Sequence, residues 1–172
     1  MKELKLYQEH TCLKFSKQQQ LQLPLLSWGL HTSYIWDLVQ THLDVLSLEK
    51  ILKGIEKTSH VIEEFKSNQK VIVITNPDLT IEFASHNLKE MSGYLPSEVI
   101  GKTPKMFQGE KTDLKITKNI RNKINKKEPF EVSVYNYKKD GSLYYCHIKG
   151  YPAFNKKKQL IKYIAIEQEI VA

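Results

Sequence analysis

"FEVSVYNYKKDGSLYYCHIKGYPAF", residues 130–154, decides the fold class. Runs rich in Val, Ile, Tyr and Phe flank "KKDGS" (138–142), where Asp140-Gly141 supplies the positive φ that a tight hairpin requires. Two antiparallel strands are expected. A third, "QLIKYIAIEQEI" (159–170), follows the lysine-rich tip "NKKKQ" (155–159). In it Ile164, Ile166 and Ile170 alternate with Tyr163, Ala165 and Glu167, so both faces carry apolar residues. One face belongs to a core or pocket. The other must be covered, and the N-terminal helices of this chain or of a second copy are the nearest cover.

Upstream, "VIVITNPDLTIEFAS" (71–85) reads as two β-rich runs, 71–75 and 79–84, about an Asn-Pro-Asp turn. Ser85 is placed to cap a short helix in "HNLKEMSGY" that ends at Gly93, and "LPSEVIG" repeats the arrangement with Ser97 and Gly101. A longer helix follows Thr112, with Ile116, Ile120 and Ile124 turned inward and Lys115, Lys118 and Lys126 elsewhere. The order is strand, strand, helices, strand, strand, strand.

The first 65 residues read as helical. After Pro24, Leu30, Tyr34, Ile35, Leu38, Val39, His42 and Leu46 fall at helical spacing, which predicts one buried face. Ser47 is expected to cap a second helix in which Leu48, Ile51, Ile55, Thr58, Ile62 and Phe65 follow a heptad-like rhythm. Two readings stay open for it: a helix packing on its own domain, or helix-mediated dimerisation. "KSNQK" (66–70) is a polar joint, so the expected division is a helical segment, 1–68, and a second domain, 69–172.

Composition narrows the function classes. The chain has 172 residues, 41% hydrophobic and 26% charged, enough for a core without disulfide staples. Cys12 and Cys146 belong to no CxxC or Cys/His spacing, which argues against a disulfide framework or a zinc site and fits a reducing compartment. No run approaches the roughly 20 apolar residues of a membrane span, and "MKELKLYQEH" lacks the apolar core of a secretory signal. A cytoplasmic protein with no membrane partner is expected. The net charge of +7 is uneven: residues 1–65 carry 7 Lys against 8 Asp and Glu, and residues 66–172 carry 19 Lys and Arg against 11 Asp and Glu.

Residues 71–170 resemble a PAS domain. The resemblance rests on "VIVITNPDLTIEFAS", "MSGYLPSEVIGKTP", "FQGEKTD" opening the long helix, and "YNYKKDGSLYYCHIKGYP" followed by "YIAIEQEI". It implies an α+β fold, a five-stranded antiparallel sheet with short helices cupped against one face, that senses a ligand or docks a partner. Here the N-terminal helices precede it.

Within the family, "GKTPKMFQG" (101–109) is similar to the loop Gly-Arg-Asn-Cys-Arg-Phe-Leu-Gln-Gly of the LOV photoreceptors. The likeness implies that Lys105 stands for an arginine that holds a flavin phosphate, that Gln108 is kept, and that Arg121 matches a second phosphate-binding arginine. Asn136 matches an asparagine that hydrogen-bonds the flavin ring. Four positions depart. Thr103 and Cys146 replace asparagines, Glu167 replaces the glutamine that reports flavin chemistry, and Pro104 replaces the adduct-forming thiol. Adduct photochemistry is excluded by the proline. FMN or FAD without the adduct stays open, against a cost of roughly 1 to 3 kcal/mol for each buried polar group left unpaired. Haem lacks its histidine, because "DLKITKNIRNKIN" has none.

The remaining histidines form no constellation. His147 should point away from Cys146, its neighbour on the strand; His31, His42 and His60 are scattered, and His86 stands where it can help a helix start. There is no Gly-rich phosphate loop and no nucleophile with a partner base, so the chain is expected not to be an enzyme. Lys115, Lys118, Arg121, Lys123, Lys126 and Lys127 are basic but lack a recognition motif or stacking platform, which favours a solvated helix face over nucleic acid. The expected function is a sensory signalling module that binds a partner protein and itself, as a homodimer through the N-terminal helices and outer sheet face, with a small ligand in its cup as an option. If Glu167 points into that cup, it must pair, with Arg121, Lys105 or a ligand, or take up a proton.

Overall fold

The structure, a computed structural model, describes residues 25–56, 58–68 and 70–170. Expectations for Cys12 and for the side chains of Leu30 and His31 fall outside the residues or side chains described.

The elements run α1 (Leu25–Ile51), α2 (Ser59–Asn68), β1 (Val71–Thr75), β2 (Ile81–Ala84), α3 (Leu88–Ser92), α4 (Pro96–Val99), a 3-10 turn (Pro104–Phe107), α5 (Leu114–Asn125), β3 (Phe130–Tyr137), β4 (Leu143–Phe154) and β5 (Leu160–Ile170). The five strands form one antiparallel sheet in the order β2-β1-β5-β4-β3. The 130–154 hairpin forms as read: Phe130 pairs with Gly150 and Tyr137 with Leu143, and Gly141 closes the turn at φ 84°. β5 then returns between β4 and β1, so the last strand read in the sequence is central in the sheet.

Alternation along the strands builds two cores. On the outer face, Ile72, Ile74, Phe83, Ala153, Ile164 and Ile166 are covered by Val45, Leu48, Leu52, Ile55, Val61 and Phe65. The cover for β1 and β5 is therefore supplied within the chain. On the inner face, Val71, Val73, Ile81, Ala84, Tyr144 and Cys146 pack with Leu88, Met91, Val99 and Phe107 of the cupping helices and loop.

Several local expectations change. Ser47 caps nothing: α1 runs through it, and its hydroxyl donates to the Leu43 carbonyl one turn back at 2.9 Å. The heptad-like rhythm does not lie on one helix, because residues 52–56 turn and Ile55 bridges Asn155 near the end of β4. Tyr34, Ile35, Leu38 and Leu46, expected on a buried face, are exposed, and so is His42. Ser97 is not a cap either; α4 starts after Leu95, whose N–H donates to the Glu98 carboxylate, with Pro96 in the first turn. The Ser85 hydroxyl accepts from Ile72 N–H and donates to Asn87, so it pins β1 to the chain leading into α3. The described residues from Leu38 onward cluster with the sheet as one compact unit.

Candidate functional site

The cup is formed by the inner face of β1, β5, β4 and β3 with α3, α4 and the 101–113 loop against it. Strand alternation sends Asn136 of β3, Tyr144 and Cys146 of β4, and Glu167 of β5 to the same face as Val71 and Val73. All four are buried. Glu167 stands between Val71 on β1 and Ile148 on β4, with the Cys146 thiol 3.8 Å from its Oε2.

This is an unusual place for a carboxyl. Neither cation that the sequence offers it is near: Lys105 and Arg121 are exposed, on the 3-10 turn and on α5. Burial pushes the Glu167 carboxyl up to about 7, and the weak Cys146 thiol contact offsets this only in part. Near neutral pH the group is thus divided between acid and anion. Burial, with the Glu167 charge second, also pushes the Cys146 thiol well up, so it is an inert apolar filler and not a nucleophile.

Tyr144, which the sequence reading did not single out, completes the cluster. Its hydroxyl is buried without a hydrogen-bond partner. Asn136, paired with it across the hairpin, lies close enough to act on its ionisation but not in hydrogen-bonding geometry. Burial and then the Cys146 and Glu167 charges push the phenol up, so it stays neutral. The signal that could have found it is simple: Tyr144 is two residues before Cys146 and shares its face. Thr75, at the far end of β1, has a second unpartnered buried hydroxyl.

Burial is shallower on the side of the cup toward α5. Ile116, Ile120 and Ile124 form the helix's apolar face as expected, yet no residue of α5 is fully buried, and Val132, Ile148 and Ala165 are likewise half-buried. Side chains that face each other across a filled core are not left so accessible. Tyr163 ties the helix down at its C-terminal end, donating to the Ile124 carbonyl at 2.8 Å. Asp113 caps the other end, accepting from Lys115 N–H at 2.6 Å.

The six sequence-derived site positions therefore separate. Asn136, Cys146 and Glu167 come together in the cup, while Lys105, Gln108 and Arg121 lie on its outer rim in solvent. The loop between them has a packing logic of its own. A Cβ on Gly109 would meet the Tyr137 ring at 2.4 Å, and that ring is held where its hydroxyl accepts from Lys111 N–H at 3.0 Å. Thr112 accepts from Gly109 N–H and donates to the Tyr135 carbonyl, which sews the loop's end to β3. His147 points outward as expected, between Ser133 and Glu131. Among the described residues, no group of three or more His, Cys, Asp or Glu is placed to hold a metal.

A family model described as "PAS domain" matches residues 68–172. The chain belongs to the PAS domain family. Protein TWIN LOV 1 of Arabidopsis thaliana is 34% identical over 113 residues, covering 63% of this PAS chain and 28% of that protein. The chain thus spans less than a third of the length of that relative. Among solved structures, the LOV domain of an Erythrobacter litoralis blue-light activated histidine kinase matches at a TM-score of 0.57 and 23% identity, over 60% of this chain and 97% of that one. The PAS domain of the fruit-fly ELK potassium channel matches at 0.60 and 19%, over 67% and 98%. These two structures show the shared PAS fold. No described helix is long and apolar enough to cross a membrane.

The cup's polar atoms fit the edge of a flavin ring: the Asn136 amide, the neutral form of Glu167 as a donor, and the unpartnered Tyr144 hydroxyl. They do not fit adduct formation, since Pro104 carries no thiol and Cys146 is buried on the sheet.

Proposed function

We propose that this chain is a sensory PAS module, cytoplasmic and not itself an enzyme, that takes a small ligand in its cup and signals through protein-protein contact at its N-terminal helix. The observation that carries the ligand half is the buried, unpartnered Tyr144 hydroxyl beside the cation-free Glu167 carboxyl. Each is unfavourable in a closed apolar core, by about 1 to 3 kcal/mol for a hydroxyl and more for a charge, and a ligand with a polar edge satisfies both. The signalling half is supported by the likeness to a blue-light activated histidine kinase sensor. It is supported also by α1, whose C-terminal part packs on the sheet's outer face and can register a change in the cup.

A flavin held without adduct chemistry is the second reading, favoured by Asn136 in the cup and by the rim cations Lys105 and Arg121, which are free to face a phosphate. A bound flavin would supply visible absorption and reversible reduction. Native mass spectrometry and a visible spectrum of the protein as purified test both readings. A copurifying small molecule supports the first, and the visible absorption of an oxidised flavin supports the second. An unliganded, colourless protein that no small molecule shifts would contradict both.

A further inference from the structure

Among the described residues Glu167 is the one buried carboxyl, and its cross-strand partners are apolar. Val71 of β1 and Ile148 of β4 flank it and the Cys146 thiol lies 3.8 Å from its Oε2, while Tyr144, Leu88, Met91, Val99 and Phe107 belong to the apolar core on the same face of the sheet. The lysines of the β3–β4 turn are already engaged: Lys138 donates to Glu169 at 2.9 Å, and Lys139 to Glu98 at 2.6 Å. A carboxylate so placed lacks a counter-charge, and a paired N–H edge is the chemistry that satisfies both its oxygens at once.

The geometry points to a ligand that is an aromatic amidine or cyclic guanidine, a planar ring whose adjacent N–H groups donate to the Glu167 carboxylate while the Tyr144 hydroxyl and Asn136 amide take its remaining polar atoms. This rests on the reading of the cup as a ligand site and assigns it a ligand class. A flavin presents an acceptor–donor–acceptor edge, one N–H between two carbonyls, and lacks the adjacent pair of N–H groups that a carboxylate takes in a two-point contact. Proton balance follows directly. Either the ligand arrives as its cation at the ionised carboxylate, or the neutral amidine takes the proton from Glu167, and the bound pair is the same in both cases.

The test uses two near-isosteric probes with the full chain: 2-aminobenzimidazole, a cyclic guanidine, and 2-benzimidazolinone, which has a carbonyl in place of the amino group. Affinities are read by calorimetry at pH 8 and pH 5, with Glu167→Gln as the variant and its thermal unfolding as the check on folding. The expected result is that 2-aminobenzimidazole binds at least tenfold more tightly than the carbonyl probe at pH 8. It also loses at least tenfold at pH 5 and at least tenfold in the folded Glu167→Gln variant. Equal binding of the two probes, binding indifferent to the Gln substitution, or no binding of the guanidine probe would overturn the assignment. Preferential binding of 2-benzimidazolinone that shifts the Tyr144 resonances would overturn it while leaving the cup a ligand site. The ligand-site reading itself fails only if neither probe shifts those resonances and nothing copurifies.

Discussion

At the scale of single residues, Glu167 carries a consequence for stability that needs no ligand. Its proton is held to about pH 7 in the folded chain, against 4.5 for an ordinary glutamate. Between those values the unfolded chain has released the proton and the folded chain has not, so stability is full below about pH 4.5. It falls as pH rises to 7 and is level above. The loss is on the order of 3 kcal/mol at most. Glu167→Gln removes the ionisation without changing the shape of the group. The variant should match the parent at pH 4.5 and exceed its melting temperature at pH 8. Parallel melting profiles for the two across that window would show that the carboxyl is not held neutral by burial. The LOV resemblance named Asn136, Cys146 and Glu167, and alternation with the strand register sends all three to one face, so this half of the site was legible. The exposure of Lys105, Gln108 and Arg121 was not, because it depends on how the 101–113 loop and α5 lie over the sheet, which no local pattern encodes.

Among the elements, the Asp44 carboxylate ties α1 to the chain that leads into α3. Asp44 Oδ2 accepts from the His86 backbone N–H at 2.7 Å and meets His86 Nδ1 at 2.8 Å, across a separation of 42 residues. Two residues further on is Leu88, packed in the cup. Any change that moves α3 on ligand binding therefore acts directly on α1. Replacing Asp44 with Ala leaves a part-buried amide short of its acceptor, and a charge-assisted bond of this kind contributes about 1.5–3 kcal/mol. The unfolding free energy should fall by that amount, read as a lower urea midpoint with an unchanged slope; an unaltered midpoint would remove Asp44 from the coupling. The same segment shows where sequence reading stops. The hairpin at 138–142 was legible because Asp-Gly chemistry is local. Ser47, Ser85 and Ser97 misled for the same reason: each has the residue type of a cap, but the Ser47 hydroxyl found a carbonyl one turn back, that of Ser85 found β1, and Pro96 set the start of α4. The heptad-like spacing of 48–65 misled because apolar residues turned toward a sheet by the end of α1, a turn and α2 mimic those of one continuous helix.

For the molecule as a whole, α1 poses the remaining question. Val45 and Leu48 bury one side of it against the sheet, which makes the cover intramolecular, yet Leu43 and Leu46, one turn apart on another side, stay 49% and 48% exposed. An exposed apolar stripe of this kind calls for cover by another surface. A second copy of the chain offers the same stripe, and a two-fold arrangement of identical helices is self-complementary without any further partner. The chain should therefore sediment at twice its 20.1 kDa mass. A Leu43→Lys, Leu46→Lys double variant should sediment as a monomer with its circular dichroism unchanged, because neither side chain contributes to the core on the sheet. A parent that stays monomeric at high concentration, or a dimer indifferent to the two lysines, would assign this stripe to a different signalling protein and leave the intramolecular cover as the sole role of α1 within the chain.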